Sequence, residues 1–299
     1  MKDFVKVICV ILSVCLLSSC ERRKVPEYEP ETSSVTSTTK NNNIETSVSP
    51  EPMADSKNAT KSHSYGVAKN GVANEISINA QKYFDENGFN AFCLDTKSKE
   101  KVLYLTFDCG YENGYTSKIL DILKEKNVPS AFFCTLPQVK ENPELIKRMI
   151  NEGHIVGNHS VTHPSFAEIT TEQMIEEISG MEKYLKENYN YSEPYFRFPK
   201  GEYTDNALKV VDSLGYTSVF WSSAYADWDL NNQKGEQYAF EKVTSRLHPG
   251  AVILLHSVSP DNANALGNII DEARKQGYKF CSLRDYPKNW QKLSIIKAL

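Results

Sequence analysis

Val102-Leu103-Tyr104-Leu105-Thr106-Phe107 is a run in which apolar and aromatic residues do not alternate with charged ones. Such a run reads as a strand buried on both faces, the pattern of a parallel sheet covered by helices. It leads directly into Asp108-Cys109-Gly110-Tyr111-Glu112-Asn113-Gly114, so a carboxylate stands where the strand ends. Downstream the same unit recurs. Spacing predicts helices over 115–126, 143–152, 171–187, 205–214, 238–247 and 266–276. The strands between them fall at 130–134, 155–156, 195–198, 217–221, 251–255 and 278–281. Repeated β-α units collect functional residues at the carboxyl ends of the strands. An open doubly wound sheet and a closed, distorted barrel both satisfy this α/β pattern.

The 299 residues include 34 basic and 38 acidic side chains, a formal charge of −4, with 40% hydrophobic and 11% aromatic residues. These values exclude collagen-like, wholly disordered and multi-span membrane classes, and they argue against nucleic-acid binding by charge alone. The N-terminus stands apart. Lys2 and Lys6 precede an apolar run at 7–17 that is too short for a span and suits a secretory signal. The run ends in Leu17-Ser18-Ser19-Cys20, which resembles a bacterial lipobox; the expectation is a signal peptide at 1–19 and lipid on Cys20. Between 21 and 64 only six large apolar residues occur: Val25, Tyr28, Val35, Ile44, Val48 and Met53. This composition predicts a disordered tether over 20–65. An N-terminal extension over 66–100 would then pack on the main domain at 101–299. Four cysteines lie in the folded part, with no CxxC pair, so a four-cysteine structural zinc site is not expected.

Chemistry-bearing residues follow the strands. Asp108 is a candidate base or ligand, although an aspartate there also serves as a helix cap. His159 and His163, at i and i+4, would project from one side of a helical turn and grip one metal ion. Arg197 could orient a carboxylate, Asp227 follows the fifth strand, and His256 is placed as a proton donor. His154, His63 and His248 read as structural or as part of the tether. Trp221, Trp228 and Tyr111 are aromatic residues close to the same strand ends.

In chain order the pieces are TFDCG (106–110), HSVTH (159–163), RFPKG (197–201), ADW (226–228) and LLH (254–256). This set resembles the polysaccharide deacetylase family, the NodB-homology carbohydrate esterases, over about residues 101–283. The string TFDCGYENGYT and Lys200 are similar to one branch, the delta-lactam-biosynthetic de-N-acetylases of spore-cortex N-acetylmuramic acid. The resemblance implies a distorted (β/α) barrel and hydrolysis of an acetamide. It implies Asp108 as general base, His256 as general acid, and Arg197 and Asp227 as their orienting partners. A divalent metal ion, zinc by expectation, would be held by His159 and His163. Many members carry a second aspartate where this chain has Cys109, which would ligate the metal as thiolate or else pair with Cys134. The implied setting is a monomer outside the membrane, anchored through Cys20 and acting on peptidoglycan glycan strands, with no nucleic acid. Deacetylation of cell-wall glucosamine, chitin or xylan, and an idle wall-binding lipoprotein, stand as alternatives.

Overall fold

The computed structural model describes residues 58–286. The expected signal peptide, the lipid-bearing Cys20, the tether up to 57 and residues 287–299 lie outside the described residues. Elements in chain order are β1 (Lys61–Ser62), α1 (Glu75–Glu86), β2 (Ala91–Phe92), β3 (Val102–Cys109), α2 (Thr116–Lys126), β4 (Ser130–Cys134), α3 (Leu136–Glu141), α4 (Pro143–Asn151) and β5 (Ile155–Asn158). They continue with α5 (Thr171–Tyr189), β6 (Tyr195–Phe196), β7 (Glu202–Tyr203), α6 (Asp205–Ser213), β8 (Thr217–Val219), α7 (Glu236–Thr244), β9 (Ala251–His256), α8 (Pro260–Lys275) and β10 (Lys279–Phe280). Among the described residues, no helix is long and apolar enough to cross a membrane.

β3 is the centre of a parallel sheet because all eight of its residues are buried and can face packing on both sides. It pairs with β4 and with β9, and its first two residues pair with β10. From β4 the sheet continues through β5, β6 and β8 to β2. Ser223 then bridges to Ile253 and Leu94 to Ala251, which brings the far side of the sheet round to β9. The sheet therefore curls into a distorted (β/α) barrel rather than staying open.

Strand parity sorts the core into two layers. Leu103, Leu105, Phe107 and Cys109 face outward into the helix layer with Leu120, Leu123, Leu266 and Ile269. Tyr104 faces the barrel interior with Phe133, Ala131, Tyr195, Val219 and Val252. At roughly 1.5–3 kcal/mol for each large apolar side chain fully buried, these two layers dominate the stability of the fold.

Some boundaries differ from the sequence reading, and each has a local cause. α8 begins at Pro260, six residues before the expected start, because the Ser259 hydroxyl accepts from Asn262 N and Pro260 fits the first turn. Residues 58–65 do not behave as tether: Lys61 and Ser62 pair antiparallel with Tyr203 and Glu202. The extension does more than pack against the barrel, since β2 joins the sheet beside β8. Gln81 of α1 secures it by accepting from the Cys93 and Leu94 amides.

Gly250 holds the turn into β9 at φ 76°, donates to Val102 O and accepts from Asp95 N. A Cβ there would meet Asp95 O at 2.0 Å. Gly250→Ala should therefore lower the unfolding free energy in urea by at least about 2 kcal/mol, through left-handed strain and a backbone clash.

Candidate active site

Three polar pairs converge on one cleft of about 910 Å³ at the carboxyl ends of the strands. Asp108, next to last in β3, and His256, last in β9, stand opposite each other in the register of these neighbouring strands. Arg197, in the segment after β6, is completely buried, and its Nη1 donates to Asp108 Oδ1 at 2.8 Å. Its Nε donates to Val219 O and its Nη2 to Phe220 O, while its guanidinium lies 4.1 Å from the Phe133 ring centroid. That ring has space because residue 157 is glycine: a Cβ there would meet Phe133 at 2.6 Å. Burial pushes the Asp108 carboxyl up. The Arg197 charge, helped by His159 and His256, outweighs it and holds the carboxyl below the usual carboxylate range.

His159 and His163 come together as expected, their ring centroids 4.8 Å apart, but no helical turn presents them. Residues 159–163 form a loop in which Ser160 (φ 70°) and His163 (φ 62°) take left-handed backbone. Asn158 Oδ1 accepts from Ser160 N, Ser160 Oγ accepts from His163 N, and Glu177 of α5 accepts from the Val161 and Thr162 amides. Sequence spacing carried no sign of Glu177, because this clamp comes from a separate helix.

Burial pushes the His159 imidazole down to about 4 against the pull of Asp108, and it also lowers His163. Both rings are therefore neutral at neutral pH. The 3.6 Å approach of His159 Nε2 to Asp108 Oδ2 is thus a contact between a neutral ring and a carboxylate rather than an ion pair. His159 Nδ1 lies 2.8 Å from Arg197 O, which as acceptor fixes the proton on Nδ1 and leaves the Nε2 lone pair free. Two neutral imidazoles, one oriented from behind by a carbonyl, suit a divalent metal ion chemically.

Cys109 does not join them. It lies one residue beyond Asp108 on the same strand, so its side chain points into the helix-side core, fully buried beside Cys134. Both are free thiols, and the Cys109–Cys134 disulfide is not formed. Among the described residues, no three His, Cys, Asp or Glu side chains converge as a metal cluster.

His256 presents the opposite electrostatics. Burial alone would lower its pKa, but the Asp227 charge, the bond of Asp227 Oδ1 to Nδ1 at 2.7 Å and the charge of Asp108 raise it above the ordinary value. Asp227 is buried, and its other oxygen accepts from the His256 amide and from Asn262 Nδ2. Tyr225 donates to Asn262 Oδ1 and so fixes which way that amide faces. Asn262 and Tyr225 escaped the sequence reading, since neither sits at the end of a strand. Tyr111 and Trp228 line the cleft half-exposed, with Trp228 packed against the His256 ring. Trp221 also lines the cleft but is buried, its ring edge-on to His63. His63 is itself buried, with Nε2 2.7 Å from Trp221 O, so Ser62, His63, Ser64 and Tyr65 wall the cleft. His154 and His248 are buried; Ser130 N donates to His154 Nδ1, and both ring nitrogens of His248 are engaged, by Ser222 Oγ and Arg246 O.

A family model described as polysaccharide deacetylase matches residues 95–219. The chain is 48% identical over 198 residues to the peptidoglycan-N-acetylmuramic acid deacetylase PdaA of Bacillus subtilis, covering 66% of this chain and 75% of that protein. A peptidoglycan-N-acetylglucosamine deacetylase of Bacillus cereus is 33% identical over 190 residues, covering 60% of this chain and 66% of that protein. The solved structure of Bacillus subtilis PdaA, a family 4 carbohydrate esterase, superposes with a TM-score of 0.73 at 41% identity. It covers 77% of this chain and 97% of that one.

The placement of Cys109 has a direct consequence. Cys109→Ala should cost about 1–2 kcal/mol of stability in urea through the vacated core volume. It should leave the divalent-metal uptake of the purified protein, measured by elemental analysis, unchanged, whereas His159→Ala should lower it.

Proposed function

Because the chain belongs to the polysaccharide deacetylase family, a family of hydrolases, we propose that it removes the acetyl group from N-acetylmuramic acid in peptidoglycan. The observation that carries this reading is one cleft holding Asp108 on Arg197, two neutral imidazoles and the His256–Asp227 pair. An acetamide is a poor electrophile and its amine a poor leaving group until protonated, so hydrolysis needs a base, charge stabilisation and an acid. Asp108, kept ionised, accepts a proton from the attacking water. His256, kept protonated by Asp227, gives a proton to the departing nitrogen, releasing acetate and a free amine. Arg197 holds Asp108 in place, and Asn262 holds Asp227. A divalent ion on His159 and His163, zinc by expectation, would supply Lewis-acid polarisation of the water and the acetyl carbonyl when bound. Tyr111 and Trp228 offer the half-exposed aromatic faces on which sugar rings stack.

In a muramic acid residue the freed amine lies beside the lactyl carboxyl, and closure between them gives the muramic δ-lactam of spore cortex. An exported lipoprotein, anchored by Cys20 and reaching the wall from outside the membrane as a monomer, fits this substrate. The similarity to PdaA and the apolar run ending at Cys20 support that setting.

Asp108→Asn should abolish acetate release from peptide-free glycan. Mass analysis of wild-type products should show loss of an acetyl group, then of water. Release from chitooligosaccharides alone would move the assignment to glucosamine. His256 must be protonated to act, so activity should fall as pH rises through its raised pKa. In Asp227→Asn burial acts unopposed by that charge, so the alkaline limb of the pH–rate profile should move to lower pH. Activity at neutral pH should drop about 100-fold; an unmoved limb would assign the limb to another group.

A further inference from the structure

The turn Pro199-Lys200-Gly201 borders the same cleft, and its backbone is unusual. Lys200 and Gly201 are consecutive left-handed residues, at φ 57° and 68°. For a side-chain-bearing residue that conformation costs roughly 1–2 kcal/mol and persists only where the surroundings enforce it. Here they do so from two sides. β1 pairs with β7 immediately after the turn, and His63 N donates to Gly201 O at 2.8 Å. The Trp221 ring lies so close that a Cβ on residue 201 would meet it at 2.8 Å. Clamped in this way, the turn carries the Lys200 side chain as part of the cleft wall.

Lys200 is the only lysine or arginine lining the cleft among the described residues. The fixed anion of the cleft, Asp108, is already bonded to Arg197. No hydrogen bond or ion pair engages the Lys200 ammonium among the described residues. A strained backbone that presents an unpaired cation to a substrate cleft suits a ligand that brings its own negative charge. Muramic acid differs from glucosamine by one such group, the 3-O-lactyl carboxylate. Resting on the muramic reading above, we propose that Lys200 forms an anion subsite that receives this free carboxylate and selects muramic acid over glucosamine. A compact ammonium on a flexible stem suits a carboxylate at the end of a short rotatable arm, where a rigid guanidinium fork has no preset partner geometry.

The test compares acetate release from three substrates: a peptide-free GlcNAc–MurNAc tetrasaccharide, the same sugar with its lactyl groups as neutral carboxamides, and chitotetraose. Wild type should show a KM for the acid roughly tenfold below that for the carboxamide, a preference that added salt erodes. Lys200→Met should bring the acid-to-carboxamide KM ratio close to one, and Lys200→Arg should keep most of the preference. Lys200→Gly removes the charge on backbone that glycine favours, so it should match Lys200→Met without strain. A wild type indifferent to the lactyl charge would overturn the subsite, as would charge-removing variants that keep its preference. Release by wild type from chitotetraose alone would overturn the muramic reading itself, and the subsite with it.

Discussion

The buried pairing of Arg197 with Asp108 is the interaction on which both barrel and cleft depend. Arg197 has no exposed surface, and its donors reach Asp108 on β3 and two carbonyls at the end of β8, while its plane rests on Phe133 of β4. One side chain therefore ties three strands together across the barrel interior. Removing either partner would leave an uncompensated buried charge, at a cost of about 3–5 kcal/mol. The carboxylate that faces the cleft is the one the fold has to neutralise, so site and scaffold are held by the same contact.

From this pair the electrostatics of the cleft divide. Four imidazoles line one cavity, yet their surroundings shift them in different directions. His159 meets a carbonyl oxygen and is pushed down by burial, while His256 meets the carboxylate of Asp227 and is raised. Neutral rings and a ring whose pKa is raised are thus built from one residue type in one cleft. The layer behind them does the sorting: Asn262 and Tyr225 hold Asp227, and Glu177 holds the loop of His159 and His163.

The N-terminal strand has a part in this design that composition concealed. Residues 58–65 are as polar as the segment before them, and local sequence shows no reason for order. Order comes from outside the segment, from β7, from the Gly201 carbonyl and from the aromatic seat of His63 between Phe220 and Trp221. A chain entering the domain at this point builds one wall of the cleft before it reaches the first helix.

Sequence alone was enough to identify the β-α repeat, and the order of five motifs grouped Asp108, His159, His163, Arg197, Asp227 and His256, which the structure brings together. Strand runs and their terminal polar residues are local properties, readable from spacing and side-chain type. Only the tertiary structure decided that the sheet curls round, that Cys109 faces away from His159 and His163, and that a left-handed loop rather than a helical turn joins those two histidines. It also decided that residues 58–65 belong to the cleft. Each of these depends on strand parity or on hydrogen bonds between segments far apart in the chain, and neither exists until distant residues are packed together.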